Sequence, residues 1–540
     1  MEFKIITQNT FWQLLIVYII LILIISLGFL SKYSLYFNIF ALIIAIFGIS
    51  ILNDKSSELN ISKKIHIALF ILSIILIIAF RITPYIDNSV PLGYDAGLYK
   101  YGIEKGLINL DQWILYGGME PGFLYLMKPI SWIFSTQFLL TFGFVFFIAL
   151  LGFAVYIFSR EYFDKNTAIL SMLIYSLSLV QFKVFTYLYY KNIIALSLIL
   201  FAFYFLRKEN YNFFILTGIL IGAIHRPSLY IFGLSYLLYA FASPYTENRK
   251  FSVSQPRKPS VFGAQKSNGF SLTSRTQEVR DNKKLLIKNI LIGIIILIGA
   301  SLFYIGKFKP AIFSIISPVL SSFVSPGNSP GTFLSFHEYQ FSILFYLPLA
   351  FIGFFWLIKN KKFNIFFFYT SLCLIIVYFQ LFFFNRFIIF LDIALIILAG
   401  LGAKTIIEHK KKLGLIIIIL LLVSGVILTA KISLIASPSL SSSELKLIQA
   451  INIPKDAYII SISSKFSPYL QGYTNNRIIA PGMFDYDLWE NEERWTLFWK
   501  DLNASSLKEY YGEDIYLFTT NDLNSSCYLK TSQNLYKWVC

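Results

Sequence analysis

The chain has 540 residues, of which 56% are hydrophobic, 18% aromatic and only 14% charged, whereas about a quarter of the residues in soluble domains are charged. A mean hydropathy of +0.66, spread over many separate apolar runs, excludes a soluble enzyme with one anchor, a disordered chain and a coiled coil. The net charge of +17 is what membrane insertion produces by gathering lysine and arginine in cytoplasmic loops. Nothing resembles a base-reading module, so no nucleic-acid partner is expected.

In chain order, MEFKIITQNT leads into about twenty apolar residues, longer than a signal-peptide core and without a small-residue cleavage site, so it reads as a retained first span. A spanning helix needs roughly twenty mostly apolar residues. By that standard about thirteen candidates follow, at 11–30, 36–52, 65–81, 134–158, 167–184, 191–206, 212–225, 227–243, 285–306, 341–358, 363–384, 387–403 and 413–433. Basic residues fall on alternate connections: Lys63 and Lys64, Arg160 and Lys165, Arg207 and Lys208, Lys359 to Lys362, and Lys404 with Lys410 to Lys412. These mark the cytoplasmic side. Segment 244–284 joins them as a flexible loop, while 82–133, 307–340 and everything after about 435 face outward with the N-terminus inside.

The outward stretch 82–133 carries Asp87, Asp95, Glu104, Asp111 and Glu120 among Tyr94, Tyr99, Trp113 and other aromatics. Such a surface suits sugars, whose apolar faces stack on rings while their hydroxyls need acceptors. Gly93 and Gly97 flank Asp95, so the backbone can turn there and present the carboxylate beside the membrane. AGLYKYGIEKGL reads as an amphipathic interfacial helix, and EPGFLYLMKPISWIF re-enters the bilayer with Glu120 at its lip. Downstream, His225 and Arg226 sit at an outer turn, Lys183 and Lys191 flank a tyrosine run, and Arg386 heads a span. Ionisable groups at such places are functional candidates by default, the bland alternative for Arg386 being a pair with Asp392. His337 and Glu338 are further acceptor-site candidates. The loop containing SPGNSPGTF has the composition of a mobile lid.

Beyond about 440, YIISIS and DIYLFTT alternate with helical stretches such as SSELKLIQAI and LWENEERWTLFWKDL, predicting a small α/β domain. Cys527 and Cys540 lie near enough in sequence for a disulfide there, and Asn503 and Asn524 stand in N-x-S sequons.

GYDAGLYKYGIEKG followed by EPGFLYLM resembles the first external loop of the GT-C superfamily of multi-span glycosyltransferases, which includes protein O-mannosyltransferases and lipid A aminoarabinose transferases. FNRFIIFLDIALIILAG and the tail segments SELKLIQAINIPKDAYIIS and LQGYTNNRIIAPG extend the similarity, and the EPGF segment is also similar to EpsG-like and O-antigen polymerases. The resemblance implies an all-α polytopic membrane domain, residues 1–435, with an extracytoplasmic α/β domain, residues 436–540. It also implies a polyprenyl-phosphate-linked sugar donor and a glycan, lipid or protein acceptor. Asp95 matches the acidic residue at the reaction centre and is expected as the base of an inverting transfer. Asp87 and Glu120 are expected as second acid or acceptor ligands, and Arg386, Arg226 and His225 as phosphate ligands. Tyr94, Tyr99 and Trp113 are expected as stacking residues. There is no Asp-x-Asp pair, no paired histidine and no glycine-rich nucleotide loop, so no cofactor is expected, a divalent ion shared by Asp87 and Asp95 being the alternative. The rival from another class is a lipid or sugar transporter without chemistry.

Overall fold

A computed structural model describes residues 2–26, 34–49, 58–106, 119–253, 272–305, 334–381, 384–474, 476–479, 498, 500–512 and 514–540. Its helices are α1 (Glu2–Ser26), α2 (Ser34–Gly48), α3 (Lys63–Ile82), α4 (Ala96–Lys105), α5 (Pro121–Ser131) and α6 (Thr136–Tyr162). Next come α7 (Lys165–Ser176), α8 (Leu179–Thr186), α9 (Tyr190–Arg207), α10 (Tyr211–Ile224), α11 (Arg226–Val253) and α12 (Leu272–Leu302). The membrane domain ends with α13 (Phe336–Ser342), α14 (Leu347–Lys359), α15 (Ile365–Tyr378), α16 (Phe384–His409) and α17 (Lys411–Ile435).

Every candidate span coincides with a helix or a bent helix pair, yet they are not thirteen equivalent crossings. Among the described residues, α3, α6, α9, α12, α16 and α17 contain helices long and apolar enough to cross, and the bent pairs α7–α8 (51°) and α13–α14 (86°) raise the number to eight. Apolar helices in α2, α10 and α15 are shorter. The 14 residues of α10 reach only about 21 Å at 1.5 Å per residue, against a hydrocarbon core about 30 Å thick. A second difference concerns 244–284, which is helical at both ends: α11 continues to Val253 and α12 begins at Leu272. Its polar residues include good helix formers, so the helices run on past the apolar stretch.

Both bends converge on one side chain. Asp392 of α16 is fully buried and accepts hydrogen bonds from Ser178 Oγ (2.9 Å) and Gln181 Nε2 (2.8 Å) at the start of α8. It also accepts from the Tyr346 hydroxyl at the start of α14. Carbonyls beside the bends are satisfied as well: Thr429 Oγ1 donates to Leu177 O and the Tyr18 hydroxyl to Leu344 O, each at 2.8 Å. Broken helices survive in hydrocarbon only with such partners. Asp392 therefore serves the bends, and the alternative pair with Arg386 is not formed.

The loop charges sort by end of the bundle. Lys208 pairs with Glu161 and Lys404 with Asp164, each at 2.7 Å, and Glu408 accepts from the Leu59 amide. These contacts tie four connections together at one end. Helices α9 and α16 run from there to the other end, where Lys191 and Arg386 stand in their first turns.

The tail contains α18 (Ser442–Gln449), β1 (Tyr458–Ser461), α19 (Ser467–Tyr473), β2 (Arg477–Ile479), α20 (Ser505–Tyr511), β3 (Ile515–Phe518), β4 (Tyr528–Ser532) and β5 (Leu535–Trp538). The five strands form one sheet in the order β2-β1-β3-β5-β4, with β1 parallel to β2 and β3, and β5 antiparallel to β3 and β4. Alternation along β1 and β3 divides their side chains between two cores. Ile459, Tyr516 and Phe518 join the core that continues into the membrane domain, while Ile460, Ile515 and Leu517 pack with Leu507 of α20. A Cys527–Cys540 disulfide closes the β4–β5 hairpin. Most of LWENEERWTLFWKDL lies outside the described residues.

Candidate active site

Asp95 is the N-cap of α4, but its side chain makes no capping bond; the backbone carbonyl accepts from Tyr99 N at 3.0 Å instead. The carboxylate is thereby left to face other groups. Two glycines make this turn possible by close approach. Gly93 has φ +85°, and a Cβ there would lie 2.7 Å from Leu188 Cβ and 2.8 Å from Tyr187 O. A Cβ on Gly97 would fall 1.8 Å from Pro468 O, and one on Gly472 would fall 2.2 Å from Gly97 O, so α4 and α19 cross backbone to backbone. The Tyr469 hydroxyl donates to Gly93 O (2.9 Å) and the Tyr94 hydroxyl to Ser464 O (3.0 Å). The tail thus grips the turn that carries Asp95.

Asp95 is half-buried, and its carboxylate makes no hydrogen bond or ion pair among the described residues. Burial raises its pKa above the usual aspartate value, opposed by the charges of Lys191 and Arg386. Glu120, only 2% exposed, is paired with Lys191 Nζ at 2.7 Å and faces Arg226 Nε at 3.7 Å. Burial alone would raise the Glu120 pKa, but Lys191, Arg226 and His225 together hold it below the usual range. It caps α5, which seats so closely on α10 that a Cβ at Gly122 would lie 2.6 Å from Ala223. Beside it, buried His225 bonds to Ser228 Oγ through Nδ1 (2.7 Å), and the Arg226 guanidinium lies 5.7 Å from the Tyr304 ring centroid. Arg386, exposed in the first turn of α16, makes no ion pair among the described residues.

Five candidates from distant parts of the chain, Asp95, Glu120, His225, Arg226 and Arg386, therefore meet in one electrostatic group with Lys191 at its centre. Others stand apart. Asp87 is exposed at the exit from α3, with no bond to the group among the described residues. Tyr99 is 3% exposed and packs on Phe123 and Tyr190 at 5.4 and 6.2 Å. It lies on the inward face of the amphipathic α4, so its ring is core and not a free stacking surface. Tyr94 is 36% exposed, and Trp113 lies outside the described residues. Glu338 closes a capping box with Ser335 at the start of α13, which accounts for its carboxylate, and SPGNSPGTF is outside the described residues. No group of three or more His, Cys, Asp or Glu that could hold a metal ion occurs among the described residues. Sequence reasoning undervalued Lys191 and passed over Tyr187 and Tyr189. Their signal was present in TYLYYKN, a tyrosine-rich run with lysine just outside a span.

An apolar groove of about 560 Å³ opens between α11 and α12, walled by Leu229, Tyr230, Leu237, Ile290 and Ile294 and reaching Phe387. Its Tyr230 wall is close enough to Arg226 and Glu120 to feel their charges, and Phe387 adjoins Arg386. The groove thus begins about one helical turn from Arg226 and is lined by lipid-like side chains.

No protein-family model matches the chain, and no curated protein matches it in sequence. Solved structures do. The Archaeoglobus fulgidus oligosaccharyltransferase in its apo form aligns with a TM-score of 0.54 at 13% identity, over 85% of this chain and 70% of that one. The oligosaccharyltransferase AglB from Archaeoglobus fulgidus, in complex with an inhibitory peptide and a dolichol-phosphate, aligns with a TM-score of 0.54 at 13% identity, over 84% and 69%. ArnT from Cupriavidus metallidurans in the apo state gives 0.49 at 10% identity, over 87% and 97%. The oligosaccharyltransferase alignments show that the chain shares the fold of those membrane proteins.

Proposed function

We propose that this protein transfers a glycosyl group from a polyprenyl-phosphate-linked donor to an acceptor hydroxyl or amine on the extracytoplasmic face. The observation that carries this reading is one half-buried carboxylate, Asp95, unpaired among the described residues and acted on by the charges of Lys191 and Arg386. A transporter needs no such base. The dolichol-phosphate in the AglB complex supports a lipid phosphate as the ligand class.

In this scheme the acceptor oxygen or nitrogen attacks the anomeric carbon as its proton passes to the Asp95 carboxylate. The bond from that carbon to the phosphate oxygen breaks on the opposite face, and its electron pair stays on the phosphate, giving inversion. Negative charge grows there, and Arg386 neutralises it with help from Arg226 and Lys191. Glu120 keeps Lys191 and Arg226 in place despite their mutual repulsion. The prenyl chain lies in the groove, where apolar burial supplies affinity without constraining the reacting atoms. This transfer balances without a cofactor.

The test is Asp95→Asn in purified full-length protein supplied with undecaprenyl-phosphate-linked sugars. Removing a general base lowers the rate by about 10²–10⁴-fold while binding of farnesyl phosphate is retained. Unchanged product formation would overturn the assignment of Asp95. Wild-type protein inert toward every donor sugar offered would overturn the transferase reading.

A further inference from the structure

Tyr187 and Tyr189 sit on the link between α8 and α9, next to the charged group but outside the scheme above. Leu188 between them adopts φ +57°, a left-handed conformation that residues with a side chain seldom adopt. This link is a helix C-terminus: Leu188 N donates to Phe185 O and Tyr189 N to Val184 O. Glycine is the usual residue at such a position. Here the leucine side chain is fully buried, directly against the turn at Gly93.

The consequence is a paired aromatic surface. The Tyr187 and Tyr189 rings stack with centroids 5.9 Å apart and planes 24° from parallel. Tyr187 is 40% exposed, and Tyr189 is half-buried and near enough to Asp95 and Arg386 to feel both charges. The platform is therefore coupled to the catalytic turn twice, through Leu188 against Gly93 and through the field around Tyr189. Rings that merely anchor a helix in an aromatic belt need no place beside a base.

We propose that Tyr187 and Tyr189 form a stacking platform for a pyranose ring, the sugar moiety being held there by its apolar face beside Asp95. This rests on the transferase reading and specifies which side chains recognise the sugar. It also replaces the buried Tyr99 in that role. The C–H groups on one face of a pyranose meet the electron-rich ring face, while the hydroxyls at the rim remain free for polar partners. The ring belongs either to the donor or to an acceptor glycan, with the same chemistry in both cases.

Binding, measured separately from transfer, tests the proposal. Full-length protein in nanodiscs is titrated with citronellyl-phosphoryl glucose, mannose and N-acetylglucosamine as short donors. The matching methyl glycosides are titrated with farnesyl phosphate held at saturation. Tyr187→Leu and Tyr189→Leu keep bulk but lose the flat ring face, and each weakens sugar binding about tenfold, the scale of one aromatic stacking contact. Tyr187→Phe and Tyr189→Phe stay within about twofold of wild type on the same scale. A loss seen with the phosphoryl sugars and not with farnesyl phosphate alone assigns the platform to the donor. A loss seen with the methyl glycosides assigns it to the acceptor. Leucine variants that bind both probe sets as tightly as wild type overturn the platform, as does wild-type protein that binds none of the sugars. Active transfer with such unaffected leucine variants would leave the transferase reading standing without the platform. Sugar binding without transfer would do the reverse.

Discussion

Gly97→Ala is the sharpest perturbation available, because one methyl group tests whether the tail domain sets the position of Asp95. The added Cβ would sit 1.8 Å from Pro468 O and 2.7 Å from Tyr469 Cα. Both are backbone atoms that cannot swing aside. A carbon–oxygen contact needs about 3.3 Å, so α4 and α19 must separate by about 1.5 Å. Overpacking of this kind costs about 1–3 kcal/mol in stability, and a reacting group displaced by about 1 Å can lose about 10²-fold in rate. Gly97→Ala should therefore lower kcat/KM about a hundredfold while the membrane domain stays folded. Gly102→Ala on the same helix is the control. Its nearest neighbour is the Leu124 Cδ2 methyl at 3.3 Å, a side-chain tip that can give way, and alanine in place of glycine favours a helix by up to about 1 kcal/mol. That variant should melt no lower than wild type and keep its activity. The measurement is sugar transfer in proteoliposomes alongside thermal melting. Full activity in Gly97→Ala, or equal damage from both substitutions, would refute the idea that α19 positions the base.

The remaining expectations concern pH and the tail. Burial raises the Asp95 pKa above its ordinary value of 3.8, so transfer should fall as pH is lowered through that raised value, where the carboxyl becomes protonated and cannot accept a proton. The stability contribution has the opposite sign: it is present below the ordinary value and lost as pH rises from there through the raised one. A rate profile whose acid limb is identical in wild type and in the residual activity of Asp95→Asn would exclude Asp95 as its source. In the tail, Cys527→Ser opens a bridge between residues 13 apart, and loop closure of that size is worth about 3 kcal/mol. The tail should become protease-sensitive and transfer should fall with it, because the loosened domain no longer holds Gly93 and Gly97. Proteolysis confined to the tail with undiminished transfer would contradict that coupling.

Much of this arrangement could be read from local pattern. Apolar runs mark helices because hydrocarbon leaves a backbone no partner but itself. Lysine and arginine alternate between connections, which was enough to foresee that Lys191 and Arg386 share an end opposite Lys208 and Lys404. The period-two strands YIISIS and DIYLFTT announced the tail sheet, and the glycines around Asp95 announced a turn. Hydropathy could not tell a full crossing from a short or bent helix, since Asp392 and its donors act across three separate helices. Nor could it tell that Tyr99 faces inward while Tyr189 lies within reach of the Asp95 and Arg386 charges.

The amino-acid sequence alone thus determined that the chain is a multi-span helical protein with a separate α/β tail, and which end of each helix carries its charges. These properties depend on neighbours along the chain and on the transfer of side chains between water and lipid. Only the tertiary structure decided that Glu120 holds Lys191 and Arg226, that Asp95 has no partner among the described residues, and that α19 grips its turn through Gly97 and Gly472. Such contacts join residues tens to hundreds of positions apart. Their energies depend on distances of a few ångströms that no local pattern encodes.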